Sequence, residues 1–207
     1  MKKTTLLILL FIGTSSFAQQ LFLETGKTAS SFDFKNSQGS NLENLQAVSN
    51  SYVSVGFNTP ISSKNLDLFI SLVYNSYGAI GSDDALNNYY EWNTDYLGLN
   101  IGLNYNVFKI NKFDFYLKAG ASVEFIVQGT QTINNQVFNI VNVEEFDNPA
   151  IFLRGGAGIS YPIAQNCSLY FQYVYGKSLA LKDSNNSGSS ELKIKSNMVG
   201  LGLITNL

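Results

Sequence analysis

The fold is decided by residues 96–128, YLGLNIGLNYNVFKINKFDFYLKAGASVEFIVQ, which form two alternating runs joined by a short turn. In the first run the odd positions from Leu97 to Val107 are apolar or aromatic, and the even positions between them are glycine or asparagine. The second run, from Phe113 to Val127, also places its apolar residues on odd positions. A two-residue period is the period of a β-strand. The stretch therefore predicts two long strands, each with one apolar face.

The same alternation recurs along the chain and predicts eight strands. The connections between them alternate in length, with long loops at about 30–50, 78–89, 129–148 and 180–190 and short turns near 59–64, 109–112 and 163–167. This alternation, together with strands of about ten residues or more, is typical of a transmembrane barrel whose apolar face meets lipid. The predicted fold class is all-β, an eight-stranded antiparallel up-and-down transmembrane β-barrel.

The first eighteen residues have the pattern of an export signal. Lys2 and Lys3 precede an apolar run from Leu6 to Ile12, and small residues surround Ala18. Positive, apolar and small-residue parts in this order predict a signal peptide over 1–18. The barrel domain then covers 19–207. Gln19 stands where a lipoprotein would need a cysteine, so lipid anchoring by that route is not expected.

Composition excludes several classes of function. The chain has no histidine, and outer-membrane lipases, lipid A deacylases and omptin-like proteases depend on a histidine as general acid or base. Without the signal, Lys and Arg fall from 13 to 11 against 15 Asp and Glu, a net charge of −4, which argues against a nucleic-acid partner. Cys167 is the single cysteine and offers no disulfide or metal site. We expect no enzymatic activity, catalytic residue, cofactor or metal.

Charged residues on the inward face are the most specific chemical feature. The side chains inside an eight-stranded barrel just fill it, and an unpaired buried charge costs several kcal/mol. Arg154 is therefore predicted to face Glu124, and Lys118 to lie lower, near Glu24 and Asp67. We expect this lumen ionic network to plug the barrel and fix its register; a gated or ligand-contacting role is the alternative.

Aromatic residues near the strand ends are predicted to form girdles at the two membrane surfaces, because rings with a polar tip settle among lipid headgroups. A sugar-stacking site is the alternative for the group of Tyr89, Tyr90 and Trp92. The predicted girdle residues are Tyr90, Trp92 and Tyr96 on the outer side, and Tyr105, Phe108, Phe113 and Tyr161 on the periplasmic side.

Strand count, loop alternation and signal together resemble the small outer-membrane barrels of the OmpA, OmpX and PorT-like groups, over residues 21–207. The resemblance implies a cell outer membrane location with long loops outside and both termini periplasmic. It also implies outer-membrane lipid and lipopolysaccharide as surroundings, and insertion by the barrel-assembly machinery. The C-terminal signal for that machinery is matched in part by Gly202 and Thr205, with Leu207 in place of the usual terminal aromatic residue.

The main functional hypothesis is a non-enzymatic structural or interaction protein whose extracellular loops present a binding surface. Residues 129–148 are expected to protrude as a hairpin around Asn134 and Asn135 and to meet an envelope protein partner. An OmpW-like narrow conduit for small hydrophobic molecules is one alternative, which the polar residues Lys118, Glu124 and Arg154 disfavour. A soluble periplasmic lipocalin-like barrel is another, and it requires the apolar side chains inside.

Overall fold

The computed structural model describes residues 19–35, 45–61, 65–83, 88–141, 143, 146, 148–181 and 191–207, so the predicted signal peptide lies outside the described part. Within that part no helix is long and apolar enough to cross a membrane. The described residues form nine strands: β1 (Gln20–Lys35), β2 (Gln46–Pro60), β3 (Leu66–Asp83), β4 (Asn88–Ile110), β5 (Phe113–Ile133), β6 (Gln136–Asn139), β7 (Ala150–Ala164), β8 (Cys167–Ser178) and β9 (Glu191–Asn206).

Eight of these strands close into a barrel. Sequential neighbours pair in antiparallel fashion, β5 pairs with both β4 and β7, and β1 pairs with β9 from Gln20↔Asn206 to Lys35↔Glu191. The short strand β6 lies outside this ring and pairs only with the end of β5. The predicted eight-stranded antiparallel barrel is confirmed, and its closure leaves no barrel strand with an unpaired edge.

The two ends of the barrel differ. At one end, called the turn end, residues 61–65, 111–112 and 165–166 connect the strands. Both termini of the described chain lie there, where the Leu207 amide donates to the Gln19 carbonyl over 3.1 Å. The opposite end, called the loop end, carries the remaining connections. Three short turns and both chain termini therefore share one end, as predicted, although the β3–β4 connection over 84–87 at the loop end is also short.

The apolar side chains point outward. Leu99, Leu117 and Leu153 are 57%, 53% and 59% exposed, while their inward neighbours Asn100 and Arg154 are buried. A lipocalin-like barrel would place the apolar set inside, so that alternative is contradicted. The outer wall is an apolar band that suits hydrocarbon.

The strands extend further at the loop end than the sequence predicted. β1 and β2 reach into the predicted loop 30–50, and β3 and β4 reach into 78–89. In these extensions many outward residues, such as Ser31, Asp33 and Ser82, are polar, so the regular apolar alternation of a membrane strand fades while backbone pairing continues. Ser30 illustrates the continued order, because its buried hydroxyl donates to the Gly78 carbonyl over 3.0 Å and accepts from the Gly78 amide over 2.8 Å.

A hairpin projects from the loop end. Asn134 and Asn135 have φ values of 47° and 70°, as in the two-residue type I′ turns that suit the twist of a hairpin. The predicted turn is confirmed. The strand that returns from it is the short β6, however, and not the next barrel strand, which begins at Ala150. Beyond β6 the chain turns back, and Ile140 and Phe146 are buried in the barrel mouth.

Candidate functional site in the barrel lumen

Glycines make room for the charged side chains in the lumen. Arg154 on β7 stands in register between Gly120 of β5 and Gly176 of β8. Glu124 on β5 stands opposite Gly98 of β4, where an added Cβ would lie 2.5 Å from the Glu124 Cγ. On the inward face, each of these long charged side chains thus lies beside a glycine on the neighbouring strand, because a narrow lumen has no room for two side chains at the same level.

The first group of buried polar residues, called the loop-side cluster, surrounds Glu124, whose side chain is fully buried. Arg154 Nη2 lies 2.6 Å from Glu124 Oε1 and donates to the Tyr77 hydroxyl over 2.7 Å. That hydroxyl in turn donates to Glu124 Oε2 over 2.8 Å. Ser122 and Asn75 donate to the same carboxylate over 2.7 and 3.0 Å. The cluster connects β3, β5 and β7 across the lumen.

The second group, called the turn-side cluster, surrounds Glu24 on β1. The hydroxyls of Tyr52 and Tyr170 both donate to its carboxylate, the latter over 2.6 Å. The Gln172 side-chain amide donates to both carboxylate oxygens over 2.8 Å. Glu24 is buried, and these donors replace the water that the carboxylate gives up, which is the condition for burying a charge.

Lys118 joins this cluster through an amide rather than by an ion pair. Its ammonium donates to Gln172 Oε1 over 3.3 Å, and Gln172 donates to Glu24 with its other end. The ammonium also lies 4.3 Å from the centre of the Phe69 ring, a favourable cation–π distance. Lys118 and Arg154 together balance Glu24 and Glu124, so the two clusters carry no net charge.

Asp67, the fifth residue of the predicted ionic network, lies apart from both clusters. Its carboxylate accepts a hydrogen bond of 3.4 Å from Asn106. Both residues line a cavity of about 180 Å³ at the turn end, which Lys118 and Gln172 also line. The cavity is polar and of a size for several water molecules. The structure therefore brings four of the five predicted network residues into two clusters and leaves Asp67 in a vestibule.

Apolar side chains close the loop end of the lumen, which differs from the predicted polar and ionic filling. Strand residues meet Ile140, Phe146 and Leu181 from the connections; Phe32 packs 6.1 Å from Trp92 and 6.2 Å from Phe146 between ring centres. We call this group the loop-end plug; its buried members are Phe32, Tyr77, Ala79, Trp92, Tyr96, Ile140, Phe146, Ala150, Phe152, Leu181, Leu192 and Ile194.

Three of the predicted girdle residues belong to or contact this plug, so their assignment to a lipid-facing girdle is wrong. Trp92 and Tyr96 are buried plug residues, and Tyr90 stacks on Trp92 with 5.6 Å between ring centres. The reason is parity: all three are on even positions of β4, as are the inward residues Gly98 and Asn100. Proximity to a strand end does not decide orientation.

The residues predicted for the turn-end half of the girdle lie on the outer wall. Tyr105, Phe108 and Phe113 are exposed on the outer wall, and Tyr161 packs 4.9 Å from Phe113 between ring centres. At the loop end the outward aromatic residues include Tyr74, Tyr173 and Tyr175, which the girdle prediction missed. Parity within each strand was the signal that could have found them, because Tyr74 shares the parity of the outward Leu72, and Tyr173 and Tyr175 share that of the outward Phe171.

The sequence of residues 17–180 matches the family model described as "Outer membrane protein beta-barrel domain". The chain belongs to this family. The location that follows is the outer membrane, and the apolar outer wall of the barrel agrees with it. No curated protein sequence matches the chain.

Solved structures resemble this outer-membrane barrel in fold at low sequence identity. Outer membrane protease OmpT from Escherichia coli is 10% identical with a TM-score of 0.50, over 94% of this chain and 98% of that one. Neisserial surface protein A is 13% identical with a TM-score of 0.47, over 90% and 97%. At these sequence identities the likeness concerns the fold alone, and the activity of these proteins is not transferred to this chain.

The chemistry available in the lumen is that of two formally neutral hydrogen-bonded clusters. Their carboxylates are held by hydroxyl, amide and guanidinium donors, and their cations face acceptors or aromatic rings. Among the described residues no three Asp, Glu, Cys or His side chains come together as metal ligands. The acidic residues of the loops, such as Asp84, Glu144 and Glu145, lie outside the described part.

Proposed function

We propose that this outer-membrane barrel is a sealed, non-enzymatic protein with a structural or interaction role. The observation that carries the proposal is the loop-end plug, in which Ile140, Phe146 and Leu181 from the connections pack against strand residues across the mouth. Below it, two neutral hydrogen-bonded clusters cross the lumen. Three successive layers of side chains favour a sealed barrel over a conduit for small hydrophobic molecules.

The lack of enzymatic activity is supported by composition. The full sequence contains no histidine, and its one cysteine, Cys167, is the first residue of β8. The buried carboxylates of Glu24 and Glu124 are already bonded to hydroxyl, amide and guanidinium donors, so neither is a free general base.

The proposed orientation places the turn end and both termini in the periplasm and the loop end outside the cell. The support is the length of three of the four loop-end connections, over 36–45, 134–149 and 179–190, because barrels of the outer membrane keep short turns on the periplasmic side. We further propose insertion by the barrel-assembly machinery, and a surrounding of outer-membrane lipid and lipopolysaccharide for the apolar wall.

The β5–β6 hairpin is the proposed surface for an envelope protein partner. Val137 and Phe138 on β6 are 66% and 45% exposed, although both are large and apolar. β6 also ends the sheet, with β5 as its neighbour on one side only. An unpaired edge can accept an extended segment of another protein as an added strand.

Hairpin geometry identifies which backbone groups are free. Ile133 and Gln136 flank the two-residue turn and form the first hydrogen-bonded pair of such a hairpin. Gln131 and Phe138 form the next hydrogen-bonded pair. The residues that alternate with them on β6, Val137 and Asn139, therefore have backbone amides that point away from β5. Those two amides are available to a partner strand.

A photo-crosslinking experiment in intact cells tests the proposal. A photoreactive amino acid at Asn139 should give a discrete protein adduct, and Val137→Pro should abolish it, since proline removes a free-edge donor and leaves the β5–β6 hydrogen bonds intact. The same probe at Tyr175 on the lipid-facing wall is the control. An unchanged adduct in Val137→Pro, or no adduct at Asn139, would contradict the partner surface.

A further inference from the structure

A set of lysines lies on one side of the outer wall at the loop end. Lys27 of β1, Lys177 of β8 and Lys195 of β9 are on the outward parity of adjacent strands. We call these three residues the basic strip. Each lies at the loop-end edge of the apolar band: Lys27 pairs with the outward Val199, Lys177 comes two residues after the outward Tyr175, and Lys195 comes four residues before Val199. The strip therefore stands at the level where lipid headgroups meet the barrel.

The register of the strip concentrates positive charge. Lys177 and Lys195 are directly paired across β8 and β9, and like charges in this arrangement destabilise a sheet unless an anion lies between them. Asp33 supplies a carboxylate 3.1 Å from Lys195. Among the described side chains on the outward faces of these loop-end strands, Asp33 is the one acid, against the basic strip and Lys193.

The opposite wall at the same level has the reverse charge. Glu91 and Asp95 lie on the outward parity of β4, where they accept hydrogen bonds from Asn93 over 2.9 Å and Ser76 over 2.5 Å. The described outward residues of β4 and β5 in this region include no lysine or arginine. The basic strip is thus a local feature of the β1–β9–β8 wall and not a ring around the barrel.

We propose that the basic strip binds the phosphate groups of an outer-leaflet glycolipid of the lipid A class. Clustered lysines at a membrane surface attract anionic headgroups, and the apolar band directly beneath the strip is where the acyl chains of such a lipid would pack. Neutral polar groups complete the surface: the Ser51 hydroxyl accepts from Lys27 over 3.0 Å, and Asn197 accepts from Tyr173 over 2.6 Å. The choice of an outer-leaflet lipid rests on the proposed orientation.

Binding of purified lipids to the mature, folded protein in detergent micelles tests the proposal by native mass spectrometry. The probes are diphosphoryl lipid A, the same lipid without phosphates, and phosphatidylglycerol. Wild type should prefer diphosphoryl lipid A, and the triple variant K27Q/K177Q/K195Q should bind it about tenfold or more weakly. The control variant K109Q/K112Q, at the turn end, should bind like wild type.

A second variant gives a result that misfolding cannot imitate. Asp33→Asn removes the carboxylate that contacts Lys195 of the basic strip. It should raise the affinity for diphosphoryl lipid A several-fold, because the net charge around the strip becomes more positive. The proposal is overturned if the triple variant binds like wild type, if dephosphorylated lipid A or phosphatidylglycerol binds equally well, or if K109Q/K112Q loses as much affinity. Val137→Pro should leave lipid binding unchanged. A negative result for lipid binding is therefore distinguishable from a negative result for the proposed partner surface on the hairpin.

Discussion

Arg154 and Glu124 form an ion pair of 2.6 Å inside the barrel, and the hydroxyl of Tyr77 bonds to both partners. The three residues come from β7, β5 and β3, so the contact braces the barrel across its width as well as along its circumference. A buried pair of this kind is specific because either partner alone is an uncompensated charge.

A double-mutant cycle on this pair should show strong coupling. Arg154→Met and Glu124→Gln should each lower the free energy of unfolding in lipid vesicles, Arg154→Met by about 3–5 kcal/mol, since it leaves Glu124 charged and unpaired. The double variant should lose much less than the sum of the two, because no charge remains. Denaturant unfolding followed by tryptophan fluorescence provides the measurement, and additive losses would show that the two side chains act independently.

A pair of glycine substitutions separates the lumen from the lipid face. Gly98→Ala should destabilise the barrel by about 1–3 kcal/mol, because the new Cβ would lie 2.5 Å from both the Glu124 Cγ and the Val123 carbonyl oxygen. Gly155→Ala is the matched control on the outer wall, where the nearest atom lies 3.9 Å away. It should be neutral or slightly stabilising. Equal effects of the two substitutions in the same unfolding assay would argue against a tightly filled lumen.

The energetic cost of a charged side chain on the outer wall should depend on its depth in the membrane. Ile101 lies in the middle of the outward apolar run from Leu97 to Val107, and Phe108 lies near its turn end. Ile101→Lys should cost about 2–4 kcal/mol of folding free energy in phospholipid vesicles, and Phe108→Lys about 1 kcal/mol or less. A neutral Ile101→Lys would mean that this face does not meet hydrocarbon.

The barrel wall could be predicted from sequence because its period is simple. Leu99 and Asn100 alternate in a way that fixes both strand and orientation, and the same parity places Glu124 and Arg154 inside. That parity would also have placed Tyr96 inside, had it been preferred over proximity to the strand end. Local alternation therefore carried more information than the expected position of aromatic residues.

The loop end could not be predicted to the same depth. A bulge at Val127 on β5 reverses the parity, so that the inward residues beyond it are on odd positions such as Gly129. Ile140 and Phe146 reach the plug from a connection without any period. Phe32 lies in a stretch whose serines and asparagines resemble a loop, so its burial depends on contacts with β4 that the sequence does not reveal.

Electrical recording across a planar lipid bilayer tests the central claim most directly. The mature protein, reconstituted as monomers and held at either polarity, should carry no steady ionic current, because the loop-end plug and the two polar clusters close the lumen in succession. A persistent current proportional to voltage in the wild-type protein would contradict a sealed barrel and would favour the alternative function of a conduit.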